Sequence, residues 1–204
     1  MPVKPACILL DLGGVVLTNG WDRGERQAAA RRFGCDPDAV EARHAKFSDA
    51  LETGRISLAA YIQNVLIPAM GGAAPAPADE IAAWIFQQSQ PLPGALEHLA
   101  KLASGPWLLA ALNNESAELN QYRIRQFGLQ KLIRVFFSSC YMGLRKPDVR
   151  IYQQALQMLQ QPPEAVLAVD DRPENLAAAR SLGMATVRIE PPGNFTPLWQ
   201  YLSD

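Results

Sequence analysis

ILLDLGGVVLTNG, Ile8 to Gly20, starts as an apolar run and ends in a glycine-bearing loop. Its one carboxylate, Asp11, sits where strand character gives way. A short run of this kind, apolar on every residue, reads as a strand buried on both faces, as in a parallel sheet. Further runs follow in WLLAALN, VFFSSC, AVLAVDD and ATVRIE, with helical stretches between most of them. Parallel neighbours need crossover connections, so the alternation predicts an α/β fold, a parallel sheet flanked by helices. Asp148 is placed to open one of those helices, which carries Ile151, Tyr152, Ala155 and Leu159.

Between the first run and the second there is no strand character. Helix starts are expected at Asp36-Pro37, at Ser57 and at Asp79, the last after the flexible GGAAPAPA, and Met70 to Ala78 reads as a linker or long loop. The expected organisation is therefore a core of residues 1–17 and 91–204 with a small helical insertion over residues 18–90. There is no internal repeat. A chain of 204 residues suits this arrangement and should bury roughly 70% of its unfolded surface.

The formal net charge is -1, with acids and bases mixed along the chain, so no long-range field gathers nucleic acid or anionic membrane. Any anion must be recognised locally. Cys7, Cys35 and Cys140 are odd in number and widely spaced, which fits reduced thiols that pack as small apolar groups in a cytoplasmic protein. The run Ala6 to Leu10 is too short for a signal-peptide core, and no apolar run reaches ~18 residues.

In an open parallel sheet, ligands bind beyond the carboxyl ends of the strands, and here those ends are polar. Asp11 ends the first run, Asn113 and Asn114 the second, Ser138 and Ser139 the third, and Asp170 and Asp171 the fourth. Lys146, in GLRKPD, is on a loop that can return to the same rim. Three acids, two amides and an ammonium at one rim cost stability unless a metal and an anion complete them. Hard oxygen donors point to Mg²⁺. Zinc is not expected, because His44 and His98 fall in helices among charged residues and read as solvated. A Mg²⁺ ion beside a nucleophilic carboxylate, with amide and ammonium donors, suits a phosphoryl group.

DLGGVV, ALNNES, GLRKPDVRIY and VDDRPENLAAARSLGM, in this order, resemble the four motifs of the haloacid dehalogenase superfamily, in particular phosphatase-like members with a small helical cap. Only the gap between Asp11 and Asn113 can hold a domain-like insertion, so the cap should leave the core soon after the first strand. The resemblance implies a Rossmann-like core and a Mg²⁺-dependent phosphatase that acts through an aspartyl-phosphate on a small phosphorylated metabolite, plausibly a sugar phosphate, as a monomer or homodimer. Asp11 would be the nucleophile and a metal ligand. Asn113, where the family usually has Ser or Thr, and Asn114 would serve the phosphate through their amides. Lys146 would hold phosphate and keep Asp11 ionised. Asp171 aligns with the metal-binding acid, Asp170 is a second ligand or its partner, and Asn175 stands where many relatives have an acid. The resemblance implies that the Gly13 carbonyl and waters would complete the metal set, and it places Gly13 among the phosphate-binding residues as well.

Gly13 is also a departure, because most phosphatases of this kind have there the acid that protonates the leaving group and later activates water. Such help is worth ~10² to 10⁴ in rate. With the role vacant, turnover should depend steeply on leaving-group acidity, and a positive φ at Gly13 would bar a side chain. Two other readings stand beside the phosphatase: a metal-independent 2-haloacid dehalogenase, which tolerates Gly13 but not the adjacent acids Asp170 and Asp171, and a member that only binds a phosphorylated ligand or a partner. Trp21, Asp22, Arg23 and Arg55 are candidates for the entrance, and Arg145 for an ion pair with the acid pair. Trp84, Phe86, Trp107, Phe136 and Phe137 read as core.

Overall fold

The computed structural model describes residues 4–71 and 76–203. Five strands form one parallel sheet in the order β3-β2-β1-β4-β5: β1 (Cys7–Leu10), β2 (Leu108–Asn113), β3 (Val135–Ser138), β4 (Val166–Asp170) and β5 (Ala185–Arg188). The runs singled out in the sequence are these five strands. β1 is central, with Cys7 opposite Leu108 on one side and Val166 on the other. Alternation along it sends Cys7 and Leu9 to one face and Ile8 and Leu10 to the other. Each face carries its own core. Ile8 and Leu10 pack with Leu99, Leu102 and Leu198, whereas Leu9 packs with Ile151, Tyr152 and Ala179.

The helices covering these faces are α5 (Ala95–Ala103), α8 (Val149–Leu159), α9 (Pro173–Ser181) and α10 (Thr196–Ser203). α6 (Ala117–Gln126) follows β2, and a single turn, α7 (Ser139–Met142), follows β3. Between β1 and α5 the described chain has helices and no strand of the sheet: α1 (Arg23–Phe33), α2 (Pro37–Glu52), α3 (Leu58–Val65) and α4 (Ala78–Gln87). They build a third apolar cluster around Tyr61, Ile62, Ile81 and Ile85, closed by Leu119 of α6.

The helix starts follow cap chemistry. Asp36 caps α2 with proline in its first turn, Ser57 caps α3 through Ala60 N, and Asp148 caps α8 through Arg150 N. The helix start expected at Asp79 is shifted: Asp79 does not cap α4. The helix begins at Ala78 behind Pro77 and carries Asp79 in its first turn, where an acid meets the positive end of the helix dipole. Residues 72–75 of the expected linker lie outside the described residues. The three cysteines are free, and among the described residues no helix is long and apolar enough to cross a membrane. Of the aromatics read as core, Phe137 is buried, while Trp84, Phe86, Trp107 and Phe136 are half-buried at the edges of the clusters.

Candidate active site

The chain leaves β1 for β2 and β3 on one side and reaches β4 and β5 on the other, so the order of the sheet reverses beside β1. Asp11 follows β1 at that point, and its backbone N–H still pairs with Val169 O at 2.8 Å. Its carboxylate is buried, with Oδ1 2.7 Å from the Leu12 N–H and 3.0 Å from Lys146 Nζ. Lys146 comes from the loop between α7 and α8 and is aimed by Asn114. The Asn114 amide grips the lysine backbone at both ends, accepting from Lys146 N at 2.8 Å and donating to Lys146 O at 2.9 Å. The ammonium, buried with the rest of the residue, also contacts Asp170 Oδ2 at 2.7 Å.

The two acids at the end of β4 differ. Asp170 is saturated: besides Lys146, its oxygens accept from Arg172 N at 2.9 Å and from Asn175 Nδ2 at 3.0 and 3.1 Å. Asn175 thus holds by hydrogen bonds a carboxylate that would repel an acid in its place. Asp171 is the reverse, with a buried Oδ1 that has no partner. Its carboxylate lies against Gly14, which has φ 72, and a Cβ there would collide with it. One oxygen each of Asp11, Asp170 and Asp171 falls within a 4.8 Å cluster.

One ammonium does not balance three carboxylates. Burial pushes the Asp11 carboxyl up to about 7 against the pull of Lys146, with Asp170 adding to the rise. Burial, then the charge of Asp170, also raises Asp171. Burial opposes the Lys146 charge, but Asp11 and Asp170 outweigh it and hold the ammonium protonated above its ordinary range. An orphaned oxygen on Asp171, a raised Asp11 and oxygen donors alone are what a hard divalent cation satisfies, and Asp11 and Asp171, with the backbone of the cleft-lining Gly13, would hold one. Asp170 is better suited to fixing Lys146.

Two expected outcomes follow from this charge balance. Asp171→Ala should weaken Mg²⁺ binding more than Asp170→Ala in calorimetric titration. Asp170→Ala should instead lower the melting temperature, because Lys146 keeps only Asp11 as a partner and the buried Asn175 amide and the Arg172 N–H lose their acceptor. Equal metal losses would contradict the division of roles. The second concerns pH. Asp11 and Glu115 are both held near 7 in the folded chain, chiefly by burial, against ordinary values of 3.8 and 4.5. The folded state therefore binds protons that the unfolded state has released, and stability without metal must fall as pH rises from about 4 to about 7. Lys146 is charged in both states across that window and does not alter the sign. Melting curves in EDTA should show the fall, and Mg²⁺ should reduce it.

The cleft above these groups has a volume of about 320 Å³. Asp11, Gly13, Asn114, Lys146 and Asn175 line its floor from the sheet side, and Trp21, Asp22, Arg23, His44 and Glu52 line it from the helical segment. Asn113 does not reach it. Its Nδ2 donates to Asn120 Oδ1 at 3.1 Å and its Oδ1 accepts from Ser138 at 3.0 Å, so the expected phosphate-facing amide is engaged in a buried network. Arg55 also lies elsewhere, paired with Asp49 beside a neighbouring groove. Arg145 pairs with Glu52 at 3.2 Å and not with the aspartates. Nor are the histidines simply surface groups, since both are half-buried with ring partners. His44 Nδ1 is 2.8 Å from Tyr61 Oη, and His98 stacks on Phe195 and accepts from Trp199 Nε1 at 3.0 Å.

Gly13 does not have the positive φ considered for it, which belongs to Gly14. The tightest contact of a Cβ on Gly13 would be the Asn19 side chain, at 2.8 Å from its Oδ1. Two acids in the cleft were not singled out in the sequence. Glu115 directly follows Asn114 and so had to lie near the rim. It pairs with the buried Arg123 at 2.8 Å. Glu52 is far from every motif along the chain.

The fold is Rossmann-like, with a buried aspartate, Asp11, just beyond its central strand. The family model described as haloacid dehalogenase-like hydrolase matches residues 5–183, and the chain belongs to that family. It is 32% identical over 118 residues to (S)-2-haloacid dehalogenase 4A of Burkholderia cepacia, a match covering 55% of this chain and about half of that enzyme, 51%. A HAD family enzyme from Bacteroides thetaiotaomicron, solved as a magnesium complex, is 18% identical. It superposes with a TM-score of 0.83 over 97% of this chain and 100% of its own. An L-2-haloacid dehalogenase is 24% identical with a TM-score of 0.68, covering 90% of this chain and 83% of its own.

Proposed function

We propose that this hydrolase is a Mg²⁺-dependent phosphatase acting on a small phosphorylated metabolite through an aspartyl-phosphate on Asp11, with residues 18–90 as a cap over a core of residues 1–17 and 91–204. The observation that carries the reading is the buried, unpartnered Oδ1 of Asp171 in a cluster of three carboxylates with one ammonium. A metal-free halide displacement would leave that negative charge uncompensated. Mg²⁺ on Asp11, Asp171 and the Gly13 carbonyl would supply positive charge to the phosphoryl oxygens.

The side chains divide the work. Asp11 attacks phosphorus and the ester oxygen leaves. Water then attacks the same phosphorus, and the Asp11 carboxylate is released. Lys146, fixed by Asp170 and by the Asn114 clip, keeps Asp11 ionised and neutralises phosphoryl charge in both steps. Trp21 and the other cleft residues of the helical segment restrict water and hold the rest of the substrate.

The dehalogenase reading is favoured by the Burkholderia cepacia relative, and one experiment separates the two. Purified protein is assayed against a panel of phosphorylated metabolites and 2-haloacids, with Mg²⁺ and with EDTA. Phosphate release that EDTA abolishes supports the phosphatase. Halide release that survives EDTA replaces it with the dehalogenase.

A further inference from the structure

Four carboxylates line the cleft: Asp11, Asp22, Glu52 and Glu115. Two besides Asp11 are already committed. Asp22 caps α1, accepting from Gly24 N at 2.8 Å, and Glu115 is held by Ser116 N at 3.0 Å and by Arg123 at 2.8 Å. Glu52 differs: among the described residues no hydrogen bond reaches its carboxylate. Arg145 Nη1 approaches Oε2 to 3.2 Å as an ion pair, without hydrogen-bond geometry, and leaves that buried oxygen unsatisfied. A buried acceptor in this state costs free energy unless something else meets it.

The position of Glu52 is built and not accidental. It is the last residue of α2, and the end of that helix packs on α7. Ser139 Oγ, set by the Glu115 N–H at 3.0 Å, donates to the Glu52 backbone carbonyl at 2.5 Å. Two residues on, Gly54 has φ 72 and lies against the Cys140 carbonyl, where a Cβ would collide. The helical segment can thus bring Glu52 to the cleft only because the turn beyond it carries no side chain. Burial raises the pKa of Glu52, with Arg145 and Arg172 opposing, which suits a group that must carry a proton before it gives one up.

We propose that Glu52 donates the proton to the leaving group and then accepts one from the hydrolytic water, filling from the helical segment the role that Gly13 leaves open. In the first step the Asp11 oxygen bonds to phosphorus, the phosphorus–ester oxygen bond breaks, and the Glu52 proton goes to the departing oxygen. In the second the Glu52 carboxylate takes a proton from water. The hydroxyl oxygen bonds to phosphorus as the Asp11–phosphorus bond breaks, so the net change is one water consumed. The inference rests on the phosphatase reading.

Rapid-quench kinetics of the Mg²⁺-loaded protein with p-nitrophenyl phosphate and phenyl phosphate test it. Wild type should phosphorylate at similar rates with the two esters. In Glu52→Gln the rate with phenyl phosphate should fall by ~10² while that with p-nitrophenyl phosphate stays within about threefold, because nitrophenolate leaves without help. The phosphorylated enzyme should then accumulate. A wild type that already discriminates steeply between the esters would overturn the proposal and leave the Gly13 vacancy unfilled. So would equal losses with both esters in Glu52→Gln, which would mark a merely structural residue, or no loss with either. A wild type releasing no phosphate from any ester would sink the phosphatase reading before Glu52 is tested.

Discussion

Asp11→Asn should abolish turnover, with kcat reduced by ~10⁴ or more, the scale at which loss of a nucleophile is usually felt. The amide is a poor nucleophile and a weaker ligand for a hard cation, yet it keeps the shape of the side chain and can still accept from the Leu12 N–H and from Lys146. The fold should therefore survive. Burial already pushes the Asp11 carboxyl up to about 7, so a neutral isostere removes a charge that the metal-free site tolerates poorly, and the melting temperature in EDTA should not drop. Circular dichroism melting beside a phosphate-release assay separates loss of chemistry from loss of structure. Near-wild-type activity in the Asn variant would assign the nucleophile elsewhere.

Lys146→Met should lower turnover by ~10² or more, the typical effect of removing a buried electrostatic stabiliser. The same ammonium meets Asp11 at 3.0 Å and Asp170 at 2.7 Å, so its loss leaves two buried carboxylates facing each other. Breaking a buried ion pair on one side costs ~3 to 5 kcal/mol, so this variant should also melt markedly lower than wild type. Excess Mg²⁺ should restore part of the stability and little of the rate, because a cation at Asp171 cannot replace the contact at Asp170. A change in rate below about threefold, under ~1 kcal/mol, would place Lys146 outside the chemistry.

The parts of this molecule that were legible in the sequence are those set by local pattern. All five strands announced themselves as short apolar runs, and the rim was readable because a strand buried on both faces must put its polar residues at its ends. Lys146 came with the rim since its loop follows β3. Other features were set by tertiary contacts that no local pattern contains. Asn113 and Asn114 are neighbours at a strand end and so diverge, the first into the Asn120–Ser138 network and the second onto the Lys146 backbone. His44 and His98 sit in charged helices, but Tyr61 in one case and Phe195 with Trp199 in the other cover their rings. Of two adjacent glycines, the left-handed one is that against which Asp171 packs, a contact between residues far apart in the chain. Glu52 enters the cleft through the docking of α2 on α7, which depends on Ser139 and Gly54 together.

Peptide mapping of acid-quenched protein tests the central claim most directly. The enzyme is mixed with Mg²⁺ and p-nitrophenyl phosphate, stopped in acid during the first turnover, digested, and sequenced by mass spectrometry. The account predicts one phosphoryl group, on Asp11, present with Mg²⁺ and absent with EDTA. A phosphorylated residue other than Asp11, or product formed during that turnover with no phosphorylated peptide at any quench time, would contradict it.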